Sequence, residues 1–263
     1  MWGSKMKNVK RSIVRMVLAL VMVFGLALGN SGTAEAAGSV TYTNAAQIAQ
    51  MVFKGYNNGV YGPITVSTCI YQKGSFKRTA YLVTLSGTEN VKNQSTGYLT
   101  DALSGFNLKN HYYSNVVNVI NNNIPRGSRL ILAGHSLGGM IAQQVAADDG
   151  IKRNYVVMNT VTFGSPLLSA GSREGIVKRL GDTSDVIPYM SGSIINNTAW
   201  AIAGLQREDG HYWGNSLNAH VNSYTRADVW GKYDVTGTKW GGATLTVQTY
   251  TTKYFHSPTN VKW

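Results

Sequence analysis

Apolar positions along the chain fall into two rhythms. In NAAQIAQMVFKGY, Ala45, Ile48, Ala49, Val52 and Tyr56 recur at three- and four-residue spacing, which predicts an amphipathic helix. Tyr113, Val116, Val117, Ile120 and Ile124 repeat the pattern, and Pro125 with Gly127 stops it. Between these, ITVSTCIYQ and RTAYLVTLSG read as strands joined by the turn-like KGS. SRLILAG, YVVMNTVTFG and IVKRLGD are short apolar runs of buried-strand type, and GGMIAQQVAADD opens a helix with small residues. Strands that alternate with helices and stay apolar throughout predict an α/β fold: a mostly parallel central sheet with helices on both faces. TENVKNQSTGYLTDALSGFNLKN is a polar loop or partly helical excursion. From about Trp230 the character shifts to Thr, Tyr and Val around a Gly-Gly turn, which predicts a β-hairpin extension over residues 230–263, packed on the same domain.

The N-terminus has a different pattern. KMKNVKRSIVR is basic, and Met16 to Gly29 form an apolar stretch too short for a spanning helix. Ala34 and Ala36 then stand in A-x-A spacing. Residues 1–36 are read as a secretory signal peptide cleaved after Ala36, leaving residues 37–263 as a single domain of an exported protein. The organisation suggests a bacterial exporter. Removing Lys5, Lys7, Lys10, Arg11, Arg15 and Glu35 leaves 19 basic against 11 acidic residues, a net charge of +8. That charge suits peripheral contact with an anionic membrane or cell surface. Lys and Arg are scattered rather than clustered in a long run, which argues against nucleic acid. The lone Cys69 allows no intramolecular disulfide, so core packing must supply the stability. It reads as a buried structural thiol.

The chemistry centres on LILAGHSLGGMIAQQVA. Gly134-x-Ser136-x-Gly138 sits between a predicted strand and a predicted helix, the arrangement of a nucleophile elbow. A sharp turn there forces the serine into a strained conformation and leaves no room for side chains two residues before and after it. The N–H of Leu137 would then point towards a developing oxyanion. A serine hydroxyl needs a base, and the base needs an orienting acid. On this fold both follow the serine, acid first. Asp185 in RLGDTSDVIPYM lies just past a predicted strand, with Asp182 as its alternative in the same loop. His220 and His211 compete for the base on spacing alone, with His256 further along; His135 and His111 precede the serine and read as structural.

Taken together, LILAGHSLGGMIAQQVA, VTFGSPLLS, DVIP and HVNSY resemble the class 3 lipase family of α/β-hydrolases, which includes the secreted fungal triacylglycerol lipases. The resemblance runs from about Tyr81 to Tyr224. It implies Ser136 as nucleophile, Asp185 as acid and His220 as base. It also implies a second oxyanion donor at Thr88, in LVTLSGTEN, beside Leu137. Two departures stand out. Ser86 occupies the place of the family's usual arginine before Gly87. The segment 89–108, where the family carries a lid, is polar, with Tyr98, Leu99, Leu103, Phe106 and Leu108 as its main apolar surface.

The expected activity is therefore hydrolysis of carboxylic esters of lipids through an acyl-enzyme, by a triacylglycerol lipase or esterase that needs no cofactor and no metal. Phospholipase or acyltransferase action would use the same triad. A non-catalytic surface-binding module on a hydrolase scaffold is the alternative from another class. Residues 193–213, with Ile194, Ile195, Trp200, Ile202 and Leu205, would line an acyl pocket, form a cap, or pack as a surface excursion. No protein partner is evident beyond the lipid or small ester substrate.

Overall fold

The computed structural model describes residues 38–57, 60–87, 110–190, 202 and 204–258. The signal-peptide reading, Thr88, the polar segment 89–108, and Ile194, Ile195 and Trp200 all lie outside the described residues.

The chain forms β1 (Ser39–Tyr42), α1 (Ala45–Phe53), β2 (Ile64–Lys73), β3 (Phe76–Leu85), α2 (His111–Asn123), β4 (Arg129–His135), α3 (Leu137–Ala147), α4 (Asp149–Asn154), β5 (Val156–Phe163), β6 (Ile176–Asp182), β7 (Leu205–Glu208), α5 (Ser216–Asn222), α6 (Ala227–Trp230), β8 (Thr244–Gln248) and β9 (Lys253–Phe255). One nine-stranded sheet runs in the order β1-β8-β2-β3-β4-β5-β6-β7, with β9 also on β2. Strands β3 to β7 are mutually parallel neighbours. The antiparallel pairings of β2 with β3, β8 and β9 set β8 and β9 in that same direction, against β1 and β2.

Strand alternation divides the core between the two faces. Ile131 and Ala133 of β4 face a cluster with α1, Leu82, Val161, Phe163 and Trp230. Leu130 and Leu132 face the other cluster, with α2, α3, Val83 and Leu85. Helices therefore cover both faces, and a strand interior must be apolar on both sides. Each fully buried Leu or Ile contributes about 1.5–3 kcal/mol. Cys69 lies fully buried among them, as expected, and burial pushes its thiol up to about 12. Among the described residues no helix is long and apolar enough to cross a membrane.

Over the described residues 230–258 the predicted hairpin is reduced to a single antiparallel bridge, Tyr233 with Lys239, ahead of the Gly-Gly pair. β8 and β9 do not pair with each other but lie end to end along the same edge of β2, against Cys69–Gln72 and Ile64–Val66 respectively. A 3-10 turn at Thr249–Thr251 offsets the chain without reversing it. Thr251 Oγ1 accepts the Thr68 N–H at 2.9 Å, and Ser67 and Thr252 share a hydroxyl contact at 2.9 Å, so side chains bridge the gap in the ladder. The ten-residue edge of β2 is longer than either short strand and satisfies both.

Parallel alignment brings the carboxyl ends of β3 to β7, from Leu85 through His135, Phe163 and Asp182 to Glu208, to one edge of the sheet. In open α/β sheets this is the edge where ligands bind.

Candidate active site

At that edge β4 ends at His135 and α3 begins at Leu137, with Ser136 between them at φ 54°, ψ −123°. A non-glycine residue there stores about 1–3 kcal/mol of strain and persists only where its surroundings over-determine it. The surroundings are tight. A Cβ on Gly134 would lie 2.4 Å from the Gly138 carbonyl oxygen, and one on Gly138 would lie 2.1 Å from that of Leu85. The following residue, Gly139, is similarly close to Ser165, at 2.5 Å. Ser136 N–H donates to the Phe163 carbonyl at 3.0 Å, fixing the turn to the end of β5. The hydroxyl does not cap its own helix, and Leu137 opens α3 with its amide at the positive end of the helix dipole.

His220 lies within α5 and is fully buried with Asp185. Its Nδ1 donates to Asp185 Oδ2 at 2.7 Å. The same oxygen accepts the Tyr224 hydroxyl at 2.6 Å, and Oδ1 accepts the Ile187 N–H at 2.9 Å. With Asp185 Oδ2 as the acceptor, the imidazole carries its hydrogen on Nδ1. Burial and the neighbouring Asp185 charge push the Tyr224 phenol well above its ordinary value, so it remains a donor. Nε2 of His220 is then a lone-pair acceptor, buried and without a partner among the described residues. The His220 ring packs on that of His135, next to Ser136, with centroids 4.5 Å apart.

Both ends of α5 are tied to the acid loop. Val186 N–H donates to Ser216 Oγ at 3.0 Å at the start of the helix. Beyond its end, Ser223 Oγ donates to Asp182 Oδ2 at 2.6 Å. Asp182 also accepts from Gly210 N–H and Ser184 N–H, so it clamps the loops on either side and does not contact His220. His211 is exposed and sits 3.4 Å from Asp209. The structure thus pairs Asp185 with His220, while the Asp182 carboxylate is engaged elsewhere, the Asp182 backbone carbonyl accepts the Asp185 N–H at 3.1 Å, and His211 lies exposed. His256 and His111 are exposed.

Gly164 and Arg179 were not singled out from sequence. Gly164, at φ +55°, presses on the pair: a Cβ there would meet Asp185 Oδ2 at 2.8 Å and His220 Nδ1 at 3.0 Å. Arg179 is buried, and its Nη2 donates to the Ser165 carbonyl at 3.0 Å and the Pro188 carbonyl at 2.5 Å, joining the loop after β5 to the acid loop. Burial lowers its guanidinium to about 10, which keeps it a cation at neutral pH. Ser86 is bound without an arginine: its Oγ donates to the Val52 carbonyl at 2.9 Å, and its own carbonyl accepts from Tyr112 at 2.8 Å. Leu205, expected in a pocket, a cap or a surface excursion, lies in β7, where its strand pairs with β6. A Cβ on Gly181 would touch both Leu205 and Pro188 at 3.0 Å, so Leu205 fills the sheet edge. Glycine-rich and polar surroundings hid that short strand from the pattern. Among the described residues no group of His, Cys, Asp and Glu is placed to hold a metal ion.

Fold and site define an α/β protein with a strained serine turn beside a buried His–Asp pair. No protein-family model, curated protein or solved structure matches the chain.

Proposed function

We propose that the protein is an exported serine hydrolase of the α/β-hydrolase type that cleaves carboxylic esters of lipids. The observation that carries this reading is Ser136, held at positive φ on the edge where His220 offers an unpartnered Nε2 and is oriented by Asp185. In this mechanism His220 Nε2 takes the Ser136 proton as Oγ attacks the ester carbonyl. Asp185 stabilises the imidazolium that forms. The Leu137 N–H and the proposed donor at Thr88 receive the oxyanion, each worth on the order of 3 kcal/mol in the transition state. His220 returns the proton to the leaving alcohol, forming the acyl-enzyme, and water repeats the sequence to release the acid.

The test is hydrolysis of chromogenic esters with short, medium and long acyl chains by protein beginning at Ala37. Ser136→Ala and His220→Ala are each expected to lose at least about 10⁴-fold in kcat. The chain-length profile then separates esterase from lipase. Wild-type activity in Ser136→Ala overturns the mechanism.

The surplus positive charge supports a peripheral contact with an anionic surface. Lys73, Lys77 and Arg78 are exposed at the tip of the β2–β3 hairpin, where no acidic residue occurs between Ile64 and Leu85. Arg78 lies over the Phe76 ring at 4.6 Å. The tip is at the opposite end of β3 from Ser136, so contact there would leave the site facing outward. Salt-sensitive retention on an anionic matrix should weaken in a Lys73→Gln, Lys77→Gln, Arg78→Gln variant; unchanged retention refutes this contact.

A further inference from the structure

His135, the residue before the nucleophile, is fully buried between the rings of Phe53 and His220, at centroid distances of 4.6 and 4.5 Å. Its Nε2 lies 2.9 Å from the backbone carbonyl oxygen of His220. A carbonyl only accepts, so Nε2 carries the hydrogen. This carbonyl belongs to the last turn of α5, where the helix itself provides no donor. In a neutral ring Nδ1 is then an acceptor, and the group 2.7 Å from it is the Tyr56 hydroxyl, which must donate. The Tyr56 oxygen in turn accepts the Gly87 N–H at 2.5 Å. Every proton in the path is thereby assigned: Gly87 N–H to Tyr56, Tyr56 O–H to His135, and His135 Nε2–H to the His220 carbonyl.

The two ends of this path are functionally unlike. Gly87 passes so close to the elbow that a Cβ on it would lie 2.9 Å from Ser136 Cβ, and the next residue is Thr88, the proposed oxyanion donor. The other end is the backbone of the proposed base. We propose that His135, through Tyr56, is a positioning residue that holds the oxyanion loop and the base in register beneath the nucleophile. This rests on the ester-hydrolase reading. The path joins four separate segments: the one after α1, the end of β4, α5, and the loop just past β3. Ser86 ties the same loop to α1 and α2, and the path adds a link from it to α5. The path also gives the histidine of GHSLGG a use that a buried apolar residue could not fill, since it needs an acceptor and a donor on opposite sides of one ring.

Two measurements test the proposal. On wild-type protein with ¹⁵N-labelled histidine, NMR should show His135 as the neutral Nε2–H tautomer, with Nδ1 unprotonated. An Nδ1–H ring overturns the proposal, and this readout depends on no variant folding. On a soluble short-chain ester, Tyr56→Phe keeps the ring but removes the hydroxyl, stranding both the Gly87 N–H and the His135 Nδ1. It is expected to lower kcat by about 10–100-fold with KM within about twofold, at unchanged circular dichroism. Inactivation by a fluorophosphonate should slow in parallel. An active wild type with an unimpaired, folded Tyr56→Phe overturns the positioning role alone. A wild type that neither hydrolyses esters nor labels at Ser136 overturns the hydrolase reading and this role with it.

Discussion

Gly164 offers a direct way to weigh the contact between the end of β5 and the Asp185–His220 pair. Its φ of +55° is one that an alanine adopts at a cost of about 1–2 kcal/mol. An added Cβ would also lie 2.8 Å from Asp185 Oδ2, 2.8 Å from Tyr224 Cε2 and 3.0 Å from His220 Nδ1. Relieving contacts this short moves the pair by several tenths of an ångström, and overpacking of this kind costs about 1–3 kcal/mol. Gly164→Ala should therefore lose about 2–5 kcal/mol in urea unfolding. Two other glycines separate the contributions. Gly127, at φ +81°, has nothing within 4 Å of its would-be Cβ, so Gly127→Ala should show the backbone cost alone. Gly171 has neither a left-handed φ nor a near neighbour, and Gly171→Ala should stay within about 0.5 kcal/mol of wild type. The difference between Gly164→Ala and Gly127→Ala is the crowding of the pair. Because it displaces the atoms that orient the base, kcat for ester hydrolysis should fall about 10–100-fold in Gly164→Ala alone. Equal stability of Gly164→Ala and Gly127→Ala, with full activity in both, would refute the reasoning.

Two further predictions concern buried titratable groups. Burial and the adjacent His220 hold the His135 imidazole well below its ordinary 6.5, and the titratable groups around it are Tyr56, His220 and Tyr224. Below about pH 6.5 the unfolded chain binds a proton that the folded chain refuses, so this site makes stability rise with pH, by up to about 1.4 kcal/mol per unit, and level off above that window. Urea midpoints from pH 5 to 8 should rise less steeply in His135→Phe than in wild type, and parallel slopes would exclude the effect. The Cys69 thiol, pushed up to about 12, presents a thiolate fraction on the order of 10⁻⁴ at pH 8 and no exposed surface. It should be alkylated only under denaturing conditions; rapid modification of the native protein would contradict its burial.

What the sequence made legible was whatever a single segment determines. The stripe of α1, the runs of β2 to β6 and the glycines of the elbow depend on spacings of a few residues, and all form as the patterns predict. Strand β7 escaped notice because Leu205 is the lone apolar residue among its four, and α5 because Ala219 and Val221 are its only apolar residues after Leu217. The expected hairpin shrinks to the Tyr233–Lys239 bridge for a related reason: a Gly-Gly turn implies a local reversal, whereas the open edge that receives β8 and β9 belongs to β2, far earlier in the chain. Placement in the chain favours Asp185 over Asp182 without excluding the latter, since the two lie three residues apart and both are fully buried, Asp182 as the last residue of β6 and Asp185 in the loop beyond it. Consecutive residues decide the choice, Ser223 turning to Asp182 and Tyr224 to Asp185. Gly87 shows the limit most sharply. Its place after Ser86 marks the end of a strand, but a Cβ there would lie 2.2 Å from the Tyr56 hydroxyl and 2.9 Å from both the His135 carbonyl oxygen and Ser136 Cβ. Tyr56 occupies that space because it also reaches His135, 79 residues away. A local pattern can thus announce the strained serine turn, while the contacts among Gly87, Tyr56, His135 and His220 are fixed only when distant segments close on one another.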